Sequence, residues 1–518
     1  MTGCTELEVK LAVTPADVRR LCELGPLSDW PDSRERQQSV YFDTRRHDLR
    51  KAGLTLRVRR SDGSTIQTMK TRSGGAGLFA RDEWESAVPT LAPQLDSIRD
   101  CVPAALADAV ANELVPYATI DSERTKWTVA TPPDLVEVSL DQGVVSAGKL
   151  AEGFTEIELE LKGGSPRALF DFWKKLARSV PLRVDVLSKP ELAEAIAAGR
   201  LGKAAKAERI DVEAGMTAAE GLAAIILSCM RQFRLNEEVL RSRHQGEAVH
   251  QLHVATRRLQ TALFLFEPIA KGRRHRKLMR EAQRVSRLVG RVRDFDIVLN
   301  LLSDTGSNLE LLEHRRDRAY RRLVAELQTR RVLAWVMKLV RWVTIGNWRN
   351  RAGAKAPLSS FLEWRLDEWR AGFSEETPTM ETMTRKERHR FRIRVKRLRY
   401  ALDFSRRLFP DRKPARKAFS KVLEALQSKL GLLNDRWTMR RIQPDLAAIP
   451  AELANPKIDA DLLKDAQADF EQLLGLKPYW RTISPRPPEA DAARRPGEAK
   501  RTGASRTPAP RSAGCARG

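Results

Sequence analysis

The sequence predicts an α+β protein with a strand-rich N-terminal part and an all-helical C-terminal part. In the first 190 residues, apolar and polar side chains alternate with a period of two, as in strands that bury one face. From Thr217 to about Trp480, apolar residues recur instead at the spacing of long amphipathic helices. A chain of 518 residues is also too long for one hydrophobic core. We therefore predict domains at 1–200 and 216–482, a connector at 201–215 and a disordered tail at 483–518.

Six segments carry the alternation of strands, and two short helices interrupt them. Each helix is predicted from a hydroxyl residue followed by proline, at Thr14-Pro15 and Ser165-Pro166, because such pairs suit the N-cap and the first helical position. The six segments are 5–12, 54–60, 80–88, 123–130, 134–142 and 154–162.

Positive charge is concentrated in the C-terminal part. The whole chain has a formal net charge of +25. Residues 1–200 contain 27 basic and 30 acidic residues, a net charge of −3, which leaves +28 for residues 201–518. The second part should therefore attract polyanions such as polyphosphate, nucleic acid or acidic lipid.

The composition predicts a cytoplasmic protein. The sequence has no apolar run of about 18 residues, so no membrane-spanning helix is expected. Charged residues follow the N-terminus at once, so no signal peptide is expected either. The five cysteines are scattered without CxxC spacing, which indicates a reducing compartment and argues against a disulfide framework or a zinc site.

The helical part contains an internal repeat. The segment HQLHVATRRLQTAL at 250–263 resembles HRFRIRVKRLRYAL at 389–402, and LVGRVRDFD at 288–296 resembles KLGLLNDRW at 429–437. The spacing from the first His of each copy to the Gly of the second motif is 40 residues in one copy and 42 in the other. Two motifs in the same order indicate duplication of a helical unit, with copies at about 216–330 and 355–482.

Charged residues occupy one face of each predicted strand, because residues i and i+2 share a face. For a single strand, a solvated outer face is the ordinary explanation. Six such strands, each with aliphatic residues opposite, favour a barrel whose interior is wet and compensated in charge. The charged sets are Glu6, Glu8 and Lys10; Arg57 and Arg59; Arg81, Glu83 and Glu85; Arg124 and Lys126; Glu137 and Asp141; and Glu156, Glu158, Glu160 and Lys162.

This interior suits a triphosphate and a divalent cation. Neighbouring carboxylates can share a hard cation such as Mg²⁺ or Mn²⁺, and Arg and Lys can bind phosphoryl oxygens. The sequence has no Gly-rich P-loop, so side chains must hold the phosphates.

The ordered set of motifs in residues 4–200 resembles the CYTH domain of triphosphate tunnel enzymes. It comprises Glu6-x-Glu8-x-Lys10, Tyr41-Phe42-Asp43-Thr44, Leu56-Arg57-Val58-Arg59, Lys70, Arg81-x-Glu83-x-Glu85, Glu137, Asp141, Glu156-Ile-Glu158-Leu-Glu160 and Ser188-Lys189. The resemblance implies an eight-stranded antiparallel β tunnel that binds a triphosphate and divalent cations.

The resemblance also implies roles for individual residues. The metal-side carboxylates would be Glu6, Glu8, Asp141, Glu156 and Glu158. The triphosphate-binding cations would be Lys10, Arg57, Arg59, Lys70, Arg81, Arg124 and Lys189. Of these sets, Glu156, Glu158, Lys10 and Arg59 are the expected catalytic residues, and Glu83, Glu85 and Glu137 are further tunnel carboxylates.

Each helical repeat presents a face of cations. Residues three and four apart share a helix face, so His250, His253 and Arg257 project together. A lone histidine is more often solvated or capped, but recurrence at equivalent positions favours a functional role. Two His at i and i+3 without carboxylates make a poor metal site. The predicted anion-binding residues are His250, His253, Arg257, Arg258, His389, Arg392, Lys396, Arg397 and Arg399.

The duplicated pattern, at about 215–480, resembles the CHAD domain, the conserved-histidine α-helical domain. That resemblance implies two related helical bundles around a basic groove that binds inorganic polyphosphate. Trp335, Trp342 and Trp348 are predicted to be core residues rather than a base-stacking platform.

Together, these observations predict an enzyme that hydrolyses inorganic triphosphate with Mg²⁺ or Mn²⁺ and binds inorganic polyphosphate, in the cytoplasm or at polyphosphate granules. Three alternatives stay open: a non-enzymatic polyphosphate-binding module, a nucleic-acid-binding protein, and an adenylate cyclase or a thiamine or nucleoside triphosphatase that uses the same tunnel. Nucleic-acid binding is disfavoured because the sequence has no aromatic RNA-reading motif or zinc finger.

Overall fold

The computed structural model describes residues 4–23, 25–71, 78–98, 101–303, 309–374, 379–442 and 455–481. The tail at 483–518 lies outside these residues, so its predicted disorder stays a prediction. The side chains of Glu6 and Arg81 also lie outside the described part.

One antiparallel sheet forms the N-terminal part. Its strands in the described residues are β1 (Cys4–Ala12), β2 (Asp32–Thr44), β3 (Leu54–Ser61), β4 (Ser64–Thr71), β5 (Leu78–Ala87), β6 (Leu114–Thr131), β7 (Asp134–Ala147), β8 (Leu150–Gly163) and β9 (Arg183–Val184). The first eight pair in the order β5-β4-β3-β2-β6-β7-β8-β1, and pairing of β1 with β5 closes them into a barrel. The short β9 pairs with the end of β1.

The barrel confirms the predicted fold of this part, although β2 and β4 were not among the six alternating segments. In β4 the reason is visible, because Gln67 and Thr68 are both buried. The Gln67 amide donates to the Gln94 carbonyl at 2.9 Å and so is satisfied inside the protein. Buried polar residues of this kind hide the period-two pattern.

Five helices accompany the barrel in the described residues: α1 (Pro15–Glu23), α2 (Asp48–Lys51), α3 (Ala107–Glu113), α4 (Arg167–Ser179) and α5 (Lys189–Ala197). The prolines predicted α1 and α4. The helix α5 begins at Lys189 because Ser188 and Glu191 form a capping box, in which the Ser188 backbone N–H donates to Glu191 Oε2 at 2.9 Å. The capping box therefore fixes the position of Lys189.

The C-terminal part is helical. Its helices are α6 (Ala218–Ser242), α7 (Gly246–Leu265), α8 (Glu267–Ala270), α9 (Arg273–Leu302), α10 (Glu310–Leu327), α11 (Arg330–Ile345), α12 (Ala352–Lys355), α13 (Leu358–Ser374), α14 (Arg385–Phe404), α15 (Lys413–Ile442) and α16 (Pro456–Gly475). The chain is thus α+β, as predicted. No helix in the described residues is both long and apolar enough to span a membrane.

The sequence repeat corresponds to helices of equal length. The His-containing motifs lie on α7 and α14, which have 20 residues each. The Gly-containing motifs lie on α9 and α15, which have 30 residues each. Within each copy the two helices pack together, and α7 also contacts α14 while α9 contacts α15. The four motif-bearing helices therefore surround one space.

The two parts pack against each other through apolar residues. Helix α11 contacts α4 and β9, and one hydrophobic core extends from the barrel wall into the helices. Trp335, Trp342 and Trp348 are buried in that core, as predicted. An ion pair between Arg341 on α11 and Asp171 on α4, at 2.7 Å, lies at the edge of this contact.

Candidate active site and candidate phosphate-binding groove

Three carboxylates meet inside the barrel because their strands are neighbours in register. Asp141 on β7 is paired with Glu156 on β8, and Glu158 lies two residues further along β8 on the same face. One carboxylate oxygen of each lies within 4.8 Å of the others. Oxygen ligands at such spacing fit a hard divalent cation, so Asp141, Glu156 and Glu158 are the residues that could hold Mg²⁺ or Mn²⁺.

Cations of the chain already contact these carboxylates. Lys189 Nζ donates to Asp141 Oδ2 at 2.7 Å and to Glu158 Oε1 at 3.2 Å, and it also bonds to Glu156. Arg124 Nη2 donates to Glu158 Oε2 at 2.8 Å, and Arg124 Nε to Asp141 Oδ1 at 2.6 Å. Lys10 bonds to Glu158. The structure therefore places Lys10, Arg124 and Lys189, all predicted as phosphate-binding cations, on the carboxylate side of the tunnel.

The three carboxylates differ in their affinity for protons. Burial alone would raise the pKa of Asp141, but Lys189 and Arg124 lower it below its ordinary value. Burial would likewise raise the pKa of Glu158, yet Lys10, Lys189 and Arg124 hold it well below that of a free glutamate. The pKa of Glu156 is raised, because burial outweighs the effect of Lys10 and Lys189.

Two arginines of β3 lie in the same cavity without a carboxylate partner among the described residues. Arg57 Nη2 donates only to the Thr68 hydroxyl, at 3.1 Å, and Arg59 has no hydrogen-bond partner in the described part. Burial, with the charges of Arg57 and Arg124, lowers the pKa of Arg59 to about 10. The tunnel therefore has one side of compensated carboxylates and one side of uncompensated arginines.

The remaining predicted residues line the tunnel at different points. Lys70 forms an ion pair with Glu83 at 2.9 Å. Glu8, Glu85 and Glu137 line the cavity, which has a volume of about 350 Å³. Glu8 does not belong to the cluster of three carboxylates.

Sequence reasoning did not single out Tyr41 as a residue that lines this cavity. Tyr41 on β2 lines the tunnel and is 4% exposed. Burial would raise the pKa of its hydroxyl, but Arg57, Arg59, Lys189 and Lys10 lower it below the usual value. The motif Tyr41-Phe42-Asp43-Thr44 pointed to this segment, but the motif alone does not show which of its side chains faces the tunnel.

A second, larger cavity of about 1300 Å³ lies between the motif-bearing helices. Seven predicted cations and histidines line it: His250, His253, Arg257, His389, Arg392, Lys396 and Arg397. Asp294 and Asp435, the acidic positions of the repeat, line it as well. We call this cavity the basic groove.

The cations of the basic groove repel one another. Burial lowers the pKa of Lys396 to about 7, and Arg392 and Arg257 contribute to the shift. Burial, with the charge of Arg257, also holds the pKa of His253 well below that of free histidine. Asp294 forms an ion pair with Arg441, whose Nη2 lies 2.7 Å from the Asp294 carboxylate. An anion in the groove would relieve this repulsion.

Two predicted residues do not line the groove. Arg258 is 1% exposed in the helical core, where it donates to Gln232 Oε1 at 3.3 Å and to Asp403 Oδ2 at 3.4 Å. Arg399 lies near the ring of Tyr400. Arg257 and Arg258 are adjacent in sequence but point to different helix faces, which a run of two arginines cannot reveal.

Further arginines that the sequence reasoning missed complete the groove. They lie on α9 and α10, and the helical periodicity of the sequence could have identified most of them as residues of one face. On these two helices they are Arg287, Arg291, Arg293, Arg315, Arg318 and Arg322, and Arg441 of α15 also lines the groove.

These sites are consistent with the protein families that the two parts match. Residues 5–191 match the CYTH domain and residues 224–442 match the CHAD domain. The chain is therefore a CYTH domain followed by a CHAD domain.

Among curated proteins, the chain is 32% identical over 178 residues to the inorganic triphosphatase of Haemophilus influenzae. The match covers 33% of this chain and 49% of that protein, so the chain spans about half the length of this relative.

Two solved structures are similar to separate parts of the chain. The CHAD domain from the plant Ricinus communis is 25% identical, with a TM-score of 0.44 over 53% of this chain and 97% of that one. A putative adenylyl cyclase from Hippeastrum, described as having a dominant triphosphatase activity, is 19% identical, with a TM-score of 0.29 over 38% of this chain and 97% of that one.

Proposed function

We propose that the barrel hydrolyses inorganic triphosphate to diphosphate and phosphate with Mg²⁺ or Mn²⁺. The observation that carries this proposal is the pair Arg57 and Arg59, which lack a carboxylate partner among the described residues and line the same cavity as Glu158 of the acidic cluster. A polyanion would compensate the arginines, while a divalent cation would suit the carboxylates. The identity to an inorganic triphosphatase supports this substrate class.

The residues of the tunnel would have separate roles in hydrolysis. When bound, the divalent cation supplies Lewis-acid stabilisation of the charged phosphoryl group. Arg57 and Arg59 bind phosphoryl oxygens and neutralise the charge that develops during hydrolysis. Lys10 and Lys189 orient Glu156 and Glu158, and a carboxylate of that pair accepts a hydrogen bond from the attacking water.

The proposal retains the other predicted residues in supporting roles. Lys70 and Arg81 extend the phosphate-binding side, and Glu6 and Glu8 extend the metal side. Arg124 orients Asp141 and Glu158 on the carboxylate side.

Phosphate release by the purified chain tests the proposal. Inorganic triphosphate, ATP, thiamine triphosphate and long-chain polyphosphate are compared with Mg²⁺ or Mn²⁺. We expect release from inorganic triphosphate, and a loss of about 100-fold or more in Glu158→Gln. Glu123→Gln is the matched control, because Glu123 is exposed on β6, which β7 separates from the strand of Glu158. Full turnover in Glu158→Gln would refute the role of that carboxylate.

The other substrates decide among the alternatives. Preferred release from ATP or thiamine triphosphate would move the proposal to a nucleoside or thiamine triphosphatase, and formation of cyclic AMP would indicate a cyclase. No release from any substrate would leave a binding module.

We also propose that the basic groove binds inorganic polyphosphate and that the protein associates with cytoplasmic polyphosphate granules. The supporting observation is the seven predicted cations and histidines that line one cavity, with Lys396 at a lowered pKa. A flexible chain of phosphates can follow such a surface without base-specific contacts.

Titration of labelled polyphosphate against the full chain, with RNA of equal charge as competitor, tests this second proposal. We expect polyphosphate to bind more tightly than RNA at each salt concentration, because a polyphosphate chain presents a denser row of negative charges to the cations of the groove. Equal or tighter binding of RNA would favour a nucleic-acid-binding protein instead.

A further inference from the structure

A third cavity, of about 690 Å³, lies between the barrel and the helical part. The barrel contributes residues from β7, β8 and β9, and the helical part contributes residues from α6. We call it the interdomain cavity. It is separate from the tunnel and from the basic groove, and neither of the functions proposed above uses it.

Arg183 is the unusual residue of the interdomain cavity. It lies on β9, is 7% exposed, and has no hydrogen-bond or ion-pair partner for its guanidinium among the described residues. Burial lowers its pKa, and the charges of Arg241 and Arg234 lower it further. A buried cation without a partner is unfavourable unless another group compensates it.

The two neighbouring arginines are already compensated. Arg234 forms an ion pair with Glu237 and donates to the Val184 carbonyl at 2.9 Å. Arg241 donates to both carboxylate oxygens of Glu238, at 3.0 and 2.8 Å. Glu237 and Glu238 also act on Arg183 and partly oppose the lowering of its pKa, but neither forms an ion pair with it in the described part of the chain.

The other acidic groups around the cavity do not compensate Arg183 either. Asp185 accepts a hydrogen bond from the Leu187 N–H at 3.2 Å, and burial raises its pKa. Glu152 lies at the exposed rim. The Arg183 guanidinium is therefore available to a ligand that enters the cavity.

We propose that the interdomain cavity binds a small oxyanion of the phosphate class, with Arg183 as its principal ligand. A guanidinium presents paired N–H donors that match the oxygens of such an anion. Arg234 and Arg241 add positive potential from the helical side. The volume leaves room for a phosphomonoester as well as for inorganic phosphate.

Such an anion would link the two parts of the chain, because Arg183 belongs to the barrel while Arg234 and Arg241 belong to α6. The site also adjoins the tunnel. Phe154 lines the interdomain cavity, and its ring centroid lies 5.3 Å from Lys189 Nζ. Binding should therefore stabilise the two-domain arrangement close to the tunnel wall.

Crystals of the full chain soaked in selenate test the location directly. Selenate is a tetrahedral oxyanion that anomalous scattering identifies. We expect a selenium peak within hydrogen-bond distance of the Arg183 guanidinium, whatever is bound in the tunnel or the groove. An interdomain cavity without a peak, while peaks occur elsewhere, would overturn the proposal. The wild-type chain suffices for this experiment, so it does not depend on the folding of a variant.

Competition then identifies the source of the anion. Selenate-soaked crystals are transferred to inorganic phosphate or to glycerol phosphate, and loss of the anomalous peak is measured. Displacement by inorganic phosphate alone supports an inorganic ligand, and stronger displacement by the monoester supports a phosphorylated small molecule. Failure of both to displace selenate contradicts the phosphate class.

Variants test the role of Arg183 in solution. In Arg183→Gln we expect the phosphate concentration that gives half of the maximal thermal stabilisation to rise about tenfold. Arg341→Gln is the matched control, since Arg341 also links the two parts but lies outside the cavity. An unchanged concentration dependence in Arg183→Gln would refute the assignment. Triphosphate hydrolysis is measured separately, so failure of the proposed activity and failure of this site give different results.

Discussion

Arg231, on the first long helix of the CHAD domain, donates from Nη2 to Glu191 Oε1 of the CYTH domain at 2.9 Å. The other oxygen of Glu191 accepts from the Ser188 hydroxyl at 2.8 Å and completes the capping box before Lys189. A residue of the helical domain thus holds the helix start that places Lys189 among the tunnel carboxylates. Arg231 is a positioning residue, because it acts on the tunnel through Glu191 and through the Val186 carbonyl, to which it also donates.

Replacing Arg231 should therefore impair catalysis without removing a tunnel residue. We expect Arg231→Met to lower kcat/KM for inorganic triphosphate by roughly tenfold to 100-fold, because small displacements of Lys189 misalign Glu156 and Glu158. Steady-state kinetics at saturating metal checks this, and Arg231→Lys should recover part of the loss.

The control for that prediction is Arg341→Gln, which removes another ion pair between the two domains. Its partner Asp171 lies on the outer helix α4 and has no described contact with the tunnel carboxylates. A similar loss in both variants would show that general docking of the domains, rather than the position of Lys189, matters.

The uncompensated arginines of the tunnel should lower the stability of the ligand-free chain while they strengthen its binding of triphosphate. We expect Arg59→Met to raise the midpoint of thermal unfolding of the ligand-free chain by about 2–4 °C, because it removes a buried charge near Arg57 and Arg124. The same variant should bind triphosphate more weakly. Calorimetry and phosphate release on one preparation test both effects, and a lower midpoint would contradict the argument.

Substitutions of two adjacent arginines in the first repeat should affect different properties of the protein, one its binding of polyphosphate and the other its stability. Arg257 lines the basic groove, so Arg257→Gln should weaken polyphosphate binding and reduce the slope of log Kd against log salt by about one. Arg258 lies in the core, so Arg258→Ala should lower the free energy of unfolding by about 2 kcal/mol. Binding titrations and urea unfolding of both variants separate the two roles. Equal binding losses in both would place Arg258 in the site.

Polyphosphate binding should depend on pH through Lys396. Its pKa in the ligand-free chain is about 7, and the charges that act on it include Arg392, Arg257, Asp435 and Arg399. Lys396 in turn lowers the pKa values of His250 and His253. A bound polyanion favours the charged ammonium and raises the pKa of Lys396, so binding takes up a proton. The full affinity is present below about pH 7 and falls as the pH rises above it.

Affinities at pH 6.5 and 8.5 measure this dependence, which should be up to about tenfold per pH unit. In Lys396→Met the dependence above pH 7 should disappear. The pKa values of His250, His253 and His389 are lowered from their ordinary value, so any pH dependence from these histidines begins at a lower pH than that from Lys396. A variant that keeps the full dependence would refute the assignment to Lys396.

The sequence by itself determined the two-part architecture and the chemistry of each part. Period-two alternation with mixed charges in segments such as Glu156–Lys162 predicted the barrel, because a buried face of aliphatic residues and a charged face follow from strand geometry alone. The repeat predicted paired helices, because residues three and four apart share a face.

Only the tertiary structure decided which charges meet. Lys10, Arg124 and Lys189 were predicted beside phosphate, yet they contact Asp141, Glu156 and Glu158, while Arg57 and Arg59 lack a carboxylate partner among the described residues. Strand register and the cap at Ser188 set these distances, and both depend on contacts between residues far apart in sequence. The surroundings of Arg183 and Arg231 also depend on tertiary structure. The docking of the two domains places Arg183 in the interdomain cavity and Arg231 beside Glu191.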